Sequence, residues 1–334
     1  QYDLAKQNWE LSAQRDAEFP TVWRNLALYY YNKEKHRQLA LEYMERAFQL
    51  DPTDSRILIE LDQLYKVTGR PHAERLAHLE QYPALIAERD DLLLEYITLL
   101  NHLGRYDEAM ALLDSHIFHP WEGGEGKVPA QYQYARVEKA KQLLASPTTD
   151  ADIRQAIKLL TECLSYPHHL GEGKLQGAQD NDFHYLLGCA YQRLGDIDKA
   201  REHWTLGTEG PTEPAAALYY NDAKPDKIFY AALCYRKLEM EAKASGLFYK
   251  LINYGEKHIF DTVRMDYFAV SLPDLQIWDG DLQLRHQVHC HYMLALGYWG
   301  MGDKGKAHRY LNEAERYDMN HIGISAFRHF TELQ

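Results

Sequence analysis

Two octapeptides of this chain share one pattern. Pro120-Trp121-Glu122-Gly123-Gly124-Glu125-Gly126-Lys127 and Pro167-His168-His169-Leu170-Gly171-Glu172-Gly173-Lys174 both read Pro-x-x-x-Gly-Glu-Gly-Lys, 47 residues apart. Two glycines bracketing a carboxylate make a tight, non-helical loop that fixes the direction of the side chain. Glycoside hydrolysis needs two carboxyl groups roughly 5 to 10 Å apart across the bond. Glu125 and Glu172, with Asp182 or Asp274 as further carboxylates, are therefore candidates for acid/base work or for holding a polar ligand. Trp121 and His168 lie in the same loops and would be ligand contacts. A second reading is structural: the glycines make helix exits, and the glutamates cap the next helix N-terminus. A weaker echo of the loop is Gly255-Glu256-Lys257.

Other clusters carry less. Asp279-Gly280-Asp281 resembles a fragment of a calcium loop, without the ligand count or closing Glu of a site. His286, His289 and His291 precede a helical pattern, but residues two apart on a helix face different ways. They are expected to be structural, and no metal is expected. No nucleophile elbow, phosphate loop or zinc-protease motif occurs, and no cofactor is implied.

What positions these residues is a helical repeat. Leu187, Gly188, Tyr191, Gly195, Ala200 and Trp204 follow a Leu-Gly-x-x-Tyr, Gly, Ala-x-x-x-aromatic grammar. Small residues at Gly188 and Ala200 let two helices approach, aromatics fill beside them, and Gly195 ends the first helix. The grammar recurs at Leu294, Ala295, Tyr298, Gly302, Ala307, Leu311 and Ala314, and at Ala231, Ala232, Tyr235, Ala244 and Phe248, where Glu239 stands for the turn glycine. Trp23, Leu26, Ala27, Tyr30, Ala40, Met44 and Ala47 match as well. Leu61, Tyr65 and Gly69 follow Leu26 by 35 residues, and Tyr96, Leu100 and Gly104 by 35 again.

The pattern resembles the tetratricopeptide repeat (TPR). It implies an all-α, TPR-like α-solenoid, a right-handed superhelix of antiparallel helix pairs. The expected layout is 1–18 as the second helix of a truncated repeat, 20–118 as three repeats, and 119–180 as an irregular pair flanked by the Gly-Glu-Gly loops. Then come 181–254 as two repeats, 255–285 as an insertion, and 286–334 as the last repeat with a capping helix whose Ile324, Phe327 and Phe330 share a face. In such arrays the first helix of each pair lines the ligand face. That geometry turns inward Arg24, Asn25, Tyr31, Asn32, Glu95, Asn101 and His102 in the first third. Further on it presents Asp182, Tyr185, Gln192, Arg193, Tyr230, Arg236, Lys237, His289, Tyr292 and Trp299. Tyr and Trp faces mixed with carboxylates and amides suit sugar rings or polar peptides.

The stretches Trp121–Lys127, Asn181–Tyr185, Tyr220–Asp222, Lys224–Tyr230 and Asp266–Asp274 together resemble a poorly characterised bacterial family in which a TPR region follows an N-terminal β-rich domain. The resemblance covers nearly the whole chain and implies that it is the C-terminal part of such a protein. It brings no catalytic residues to carry over, and an association with carbohydrate metabolism.

Composition bounds the partners. With 37 Lys and Arg against 49 Asp and Glu, the net charge is −12, which a phosphate backbone repels, so nucleic acid is not expected. Cys163, Cys189, Cys234 and Cys290 lie far apart in helical patterns, reading as free thiols of a reducing, cytoplasmic compartment. No stretch is long enough to span a bilayer. The expectation is a non-catalytic scaffold for a protein or peptide, for its own N-terminal domain, or for a homodimer. The alternative is a carbohydrate-binding or carbohydrate-active site at Glu125 and Glu172.

Overall fold

The computed structural model describes residues 1–145, 148–216, 224–264 and 277–332. Among them are seventeen α-helices and no strand. None of those helices is long and apolar enough to cross a membrane. The chain divides into two compact units, Gln1–Gly104 with Asp274–Gly280, and Arg105–Pro273 with Asp281–Gln334. Of the segment joining the first unit, residues 277–280 are described.

Unit 1 holds α1 (Tyr2–Arg15), α2 (Pro20–Asn32), α3 (Arg37–Leu50), α4 (Ser55–Val67), α5 (His72–Leu79), α6 (Pro83–Glu88) and α7 (Asp90–His102). Local chemistry sets the boundaries. Pro20 opens α2, where its missing N–H costs nothing. Asp54 caps α4 by accepting from the Arg56 and Ile57 amides. Gly69 and Gly104 leave their helices in the left-handed region, at φ of 85° and 74°. The small residues of the repeat, Ala27, Ala40 and Ala47, are fully buried with Met44 at the seam of α2 and α3. The helix expected after Gly69 is split into α5 and α6, because Pro83 offers no amide to continue the first piece and instead starts the second.

A buried ion network ties α4, α5 and α7. Arg75, 1% exposed, forks onto Asp62 at 3.1 and 2.6 Å and reaches Glu95 at 2.6 Å, while Lys66 donates to Glu95 at 3.0 Å. Burial by itself would raise Glu95, but the Lys66 ammonium and Arg75 guanidinium outweigh it and hold its carboxyl well below the usual glutamate range.

Unit 2 contains α8 (Tyr106–Ser115), α9 (Lys127–Leu144), α10 (Asp150–Glu162), α11 (Asn181–Arg193), α12 (Ile197–Leu206), α13 (Pro225–Lys237), α14 (Glu241–His258), α15 (Leu282–Gly300), α16 (Lys304–Tyr317) and α17 (Ile322–Glu332). Four hairpins follow one another: α9/α10, α11/α12, α13/α14 and α15/α16. Gly188 lies directly against the Trp204 indole, leaving no room for a side chain, as the repeat grammar requires. Glu239 occupies the turn-glycine position at φ 65°, a left-handed conformation that a residue with a Cβ adopts at a cost of about 1 kcal/mol. Gly255-Glu256-Lys257 is not a loop. It is the last turn of α14, and a Cβ on Gly255 would come within 2.6 Å of Leu294 Cγ, so the glycine serves helix contact.

Because the pKa of Glu95 is depressed in the fold, the stability it contributes is present above the ordinary value near 4.5 and is lost as pH falls through the depressed value. Glu95→Gln is expected to cost about 3 kcal/mol at neutral pH. The difference in melting temperature between the two proteins should shrink as pH is lowered from 5 towards about 2, read by circular dichroism.

Candidate functional site

The two Gly-Glu-Gly loops meet in unit 2, where the carboxylate of one serves the backbone of the other. The Glu172 carboxylate accepts from the Gly126 amide at 2.7 Å, at the N-terminus of α9. It therefore caps the helix that the other loop begins, a crossed form of the capping expected from sequence. Burial pushes the Glu172 carboxyl up, the Gly126 N–H works against that, and the Glu125 charge adds to the rise. Glu125 itself is exposed, as is His168. Phe118 N–H donates to the His169 carbonyl at 2.8 Å, and Gly171, at φ 76°, approaches Phe118 too closely for a side chain. Trp121 folds onto Gly124 of its own loop. Asp274 lies outside the described residues.

Other expected ligand groups are engaged in holding hairpins together. Asp182 pairs with Lys227. Arg236 forks onto Glu241 at 2.9 and 2.7 Å and donates to the Gly300 carbonyl at 2.9 Å. His286 and His289 donate to the His258 and Ala215 carbonyls at 2.6 and 2.8 Å, and burial pushes His289 down to about 4, keeping it neutral. Asp281 caps α15 through the Leu284 amide, and in unit 1 Asp279 pairs with Lys35 at 3.1 Å. Among the described residues no group of three His, Cys, Asp or Glu could hold a metal.

The first-helix faces are the larger feature, and each carries a piece of this chain. In unit 2 the last helix, α17, reaches back to α9. Phe330 packs edge-on to Tyr185 of α11 and to Phe229 and Tyr230 of α13, with centroids 6.3, 5.7 and 5.8 Å apart. Phe327 meets Phe229, and Tyr292 and Trp299 of α15, at 5.3, 6.3 and 5.9 Å. Ile324, Phe327 and Phe330 are all buried. Polar groups fix the far end: Lys141 of α9 donates to the Ala326 carbonyl at 2.9 Å, and His329 lies 2.9 Å from the buried Glu138 carboxylate, which also pairs with Lys141 at 2.5 Å. Gly323 sits where a Cβ would be 3.0 Å from the Tyr292 hydroxyl, so the first turn of α17 can seat on α15. Tyr185, Tyr230 and Trp299, expected to meet a ligand, thus meet α17.

Unit 1 shows the same habit with a short non-helical segment. Trp278, 2% exposed, packs on Tyr31 at 5.3 Å and donates its indole N–H to the Glu60 carbonyl at 2.9 Å. The Asn32 amide grips the neighbouring backbone twice, donating to the Ile277 carbonyl and accepting from the Asp279 amide, both at 2.9 Å. The repeat pattern puts Tyr31 and Asn32 on the inner face. Their occupant was not foreseen, and neither was the Glu138–Lys141 pair, because nothing in the local pattern pointed across so many residues.

Comparison with known proteins bears on the fold. The tetratricopeptide repeat family matches residues 182–203, which are α11, its turn and most of α12. Similar solved structures include a human IFIT1 dimer with PPP-AAAA, at 16% identity over 94% of this chain and 68% of that one, with a TM-score of 0.38. Naa15/Naa10 bound to HypK-THB is 14% identical over 97% of this chain and 57% of that one, TM-score 0.38. MamA is 15% identical over 75% of this chain and 100% of its own, TM-score 0.24. Likeness this distant says nothing about the site.

Three substitutions separate the loops from the helix face. Glu172→Ala should cost about 1 kcal/mol, as loss of a helix cap does, with Glu172→Gln milder. Phe330→Ala, which opens a cavity under four aromatic rings, should cost about 3–5 kcal/mol. Denaturant titration of the three variants ranks them, and equal losses would contradict this account.

Proposed function

We propose that this chain, which carries a tetratricopeptide repeat at residues 182–203, is an interaction scaffold whose unit 2 holds helical segments of protein partners on its first-helix face. One observation carries the reading: an amphipathic helix, α17, already lies across α9, α11, α13 and α15, with aromatic residues three apart in the seam and a polar fastening at one end. A helix laid by its apolar stripe in a groove is a recurrent mode of peptide recognition, with anchors at i and i+3. The face has the aromatic anchors that concentrate binding energy. The same elements support a partner bearing an aromatic, amphipathic helix over a sugar.

The test uses a labelled peptide of residues 318–332 and the full chain carrying Phe327→Ala and Phe330→Ala, which loosen the resident helix. Fluorescence anisotropy should show saturable binding to this variant, and binding at least about tenfold weaker to the wild type, where α17 competes. A variant that keeps its helical spectrum and binds no peptide would sink the proposal. Should that variant not fold, His329→Ala, which loosens only the polar fastening, takes its place in the same titration.

A further inference from the structure

Beside Phe330, near the C-terminal end of α17, a cavity of about 170 Å³ opens between α9, α11 and α13. Its wall is apolar on one side, with Tyr185 and Phe330 among the lining residues. On the other side it carries Lys141, Gln192, Arg193 and Lys237, and no carboxylate lines it. That is a local excess of positive charge in a chain of net charge −12.

How these cations are partnered is the telling detail. Elsewhere in unit 2 the shielded cations meet carboxylates: Arg136 has Asp114 and Glu162, Lys227 has Asp182, Lys174 has Asp180. Lys141 follows that rule through Glu138. Half-buried Lys237 does not, and Arg193, which is exposed, has no carboxylate partner among the described residues either. Arg193 donates to the Leu144 carbonyl, and Lys237 to the Gln192 amide oxygen at 3.0 Å while lying over the Trp204 ring. Both partners are neutral, so both charges stand uncompensated by an ion pair among the described residues. The Arg193 fork and the Lys237 ammonium retain further N–H donors, and the Gln192 amide has its NH2.

We propose that this cavity is a binding site for an oxyanion group, a carboxylate or a phosphate, attached to a small apolar body. The oxyanion takes the charge-assisted hydrogen bonds of Arg193 and Lys237, which are about twice as strong as neutral ones. The apolar body rests on Tyr185 and Phe330. The volume suits a single ring with a short acidic arm, since a cavity of about 150 Å³ admits benzene. This site shares Lys141, Tyr185 and Phe330 with the seam that holds α17, so the seated helix forms part of its wall.

The experiment titrates the intact chain with 3-phenylpropanoate, its neutral amide 3-phenylpropanamide, and inorganic phosphate, each at matched ionic strength, by calorimetry. The carboxylate should bind saturably, and the amide about tenfold or more weaker, as expected for loss of one charged hydrogen bond. The double variant Arg193→Gln, Lys237→Gln should lose a similar factor. Lys199→Gln, which removes a charge on the outer helix α12, should leave binding unchanged. Phosphate that displaces the carboxylate supports a phosphate source, and phosphate that fails to displace it supports a carboxylate source. Equal binding of acid and amide, no binding of either anion, or equal losses in the double variant and Lys199→Gln would overturn the site.

Discussion

A row of helical hairpins buries the seam within each pair and the seam between pairs, but its first helices keep one face that no further hairpin covers. In unit 2 that face is aromatic: Tyr185, Phe229, Tyr230, Tyr292 and Trp299 project from three successive first helices. Leaving so much ring surface in water would forfeit roughly 25 cal/mol for each Å² that could be buried. The demand is met from within the chain, by α17. Unit 1 meets the same demand more sparingly, with one tryptophan and the short non-helical segment that carries it. The rest follows from this need. It explains why Glu138 and Lys141 are buried together on α9, where they fasten the end of a helix, and why Gly323 has no side chain.

Much of the repeat could be read from the sequence because its signals are local. Gly188 opposite Trp204, Ala200, and the left-handed Gly195 lie within a window of about twenty residues, and each is dictated by the approach of two adjacent helices. Glu239 was also legible, as a position where the grammar wanted glycine and a glutamate took its place in the left-handed region. The reading failed where one residue type serves two purposes. Gly255 looked like a loop residue and is instead a helix-contact residue, which only the position of Leu294 reveals. The amphipathic face of α17 was clear from Ile324, Phe327 and Phe330. Its destination was not, because period says which residues are buried together and not against what.

Charge is handled in two ways. In unit 1, Asp62, Arg75, Glu95 and Lys66 form a closed network, each member with a partner of opposite sign. Breaking such a network strands a charge, which is worse than never having had one. The loops of unit 2 use charge differently. Glu172 meets no cation among the described ion pairs but a backbone amide at a helix start, where the peptide dipoles supply the positive end. The second octapeptide thus supplies a helix cap to the first, and Gly171 permits the close passage of the chain at Phe118.

The contact between α17 and α9 joins residues as far apart as 191 positions in the chain. Stacked repeats ordinarily touch only their neighbours, so they can gain or lose a terminal repeat and fray from either end. Here the last element is bound to the first hairpin of the unit, and the linear array becomes a closed circuit. Neither end of the four-hairpin row can then loosen alone, and its melting should be sharper than that of an open stack of equal length. Closing so long a loop has a kinetic side as well: a contact this remote in sequence forms late and slowly, after the hairpins it joins.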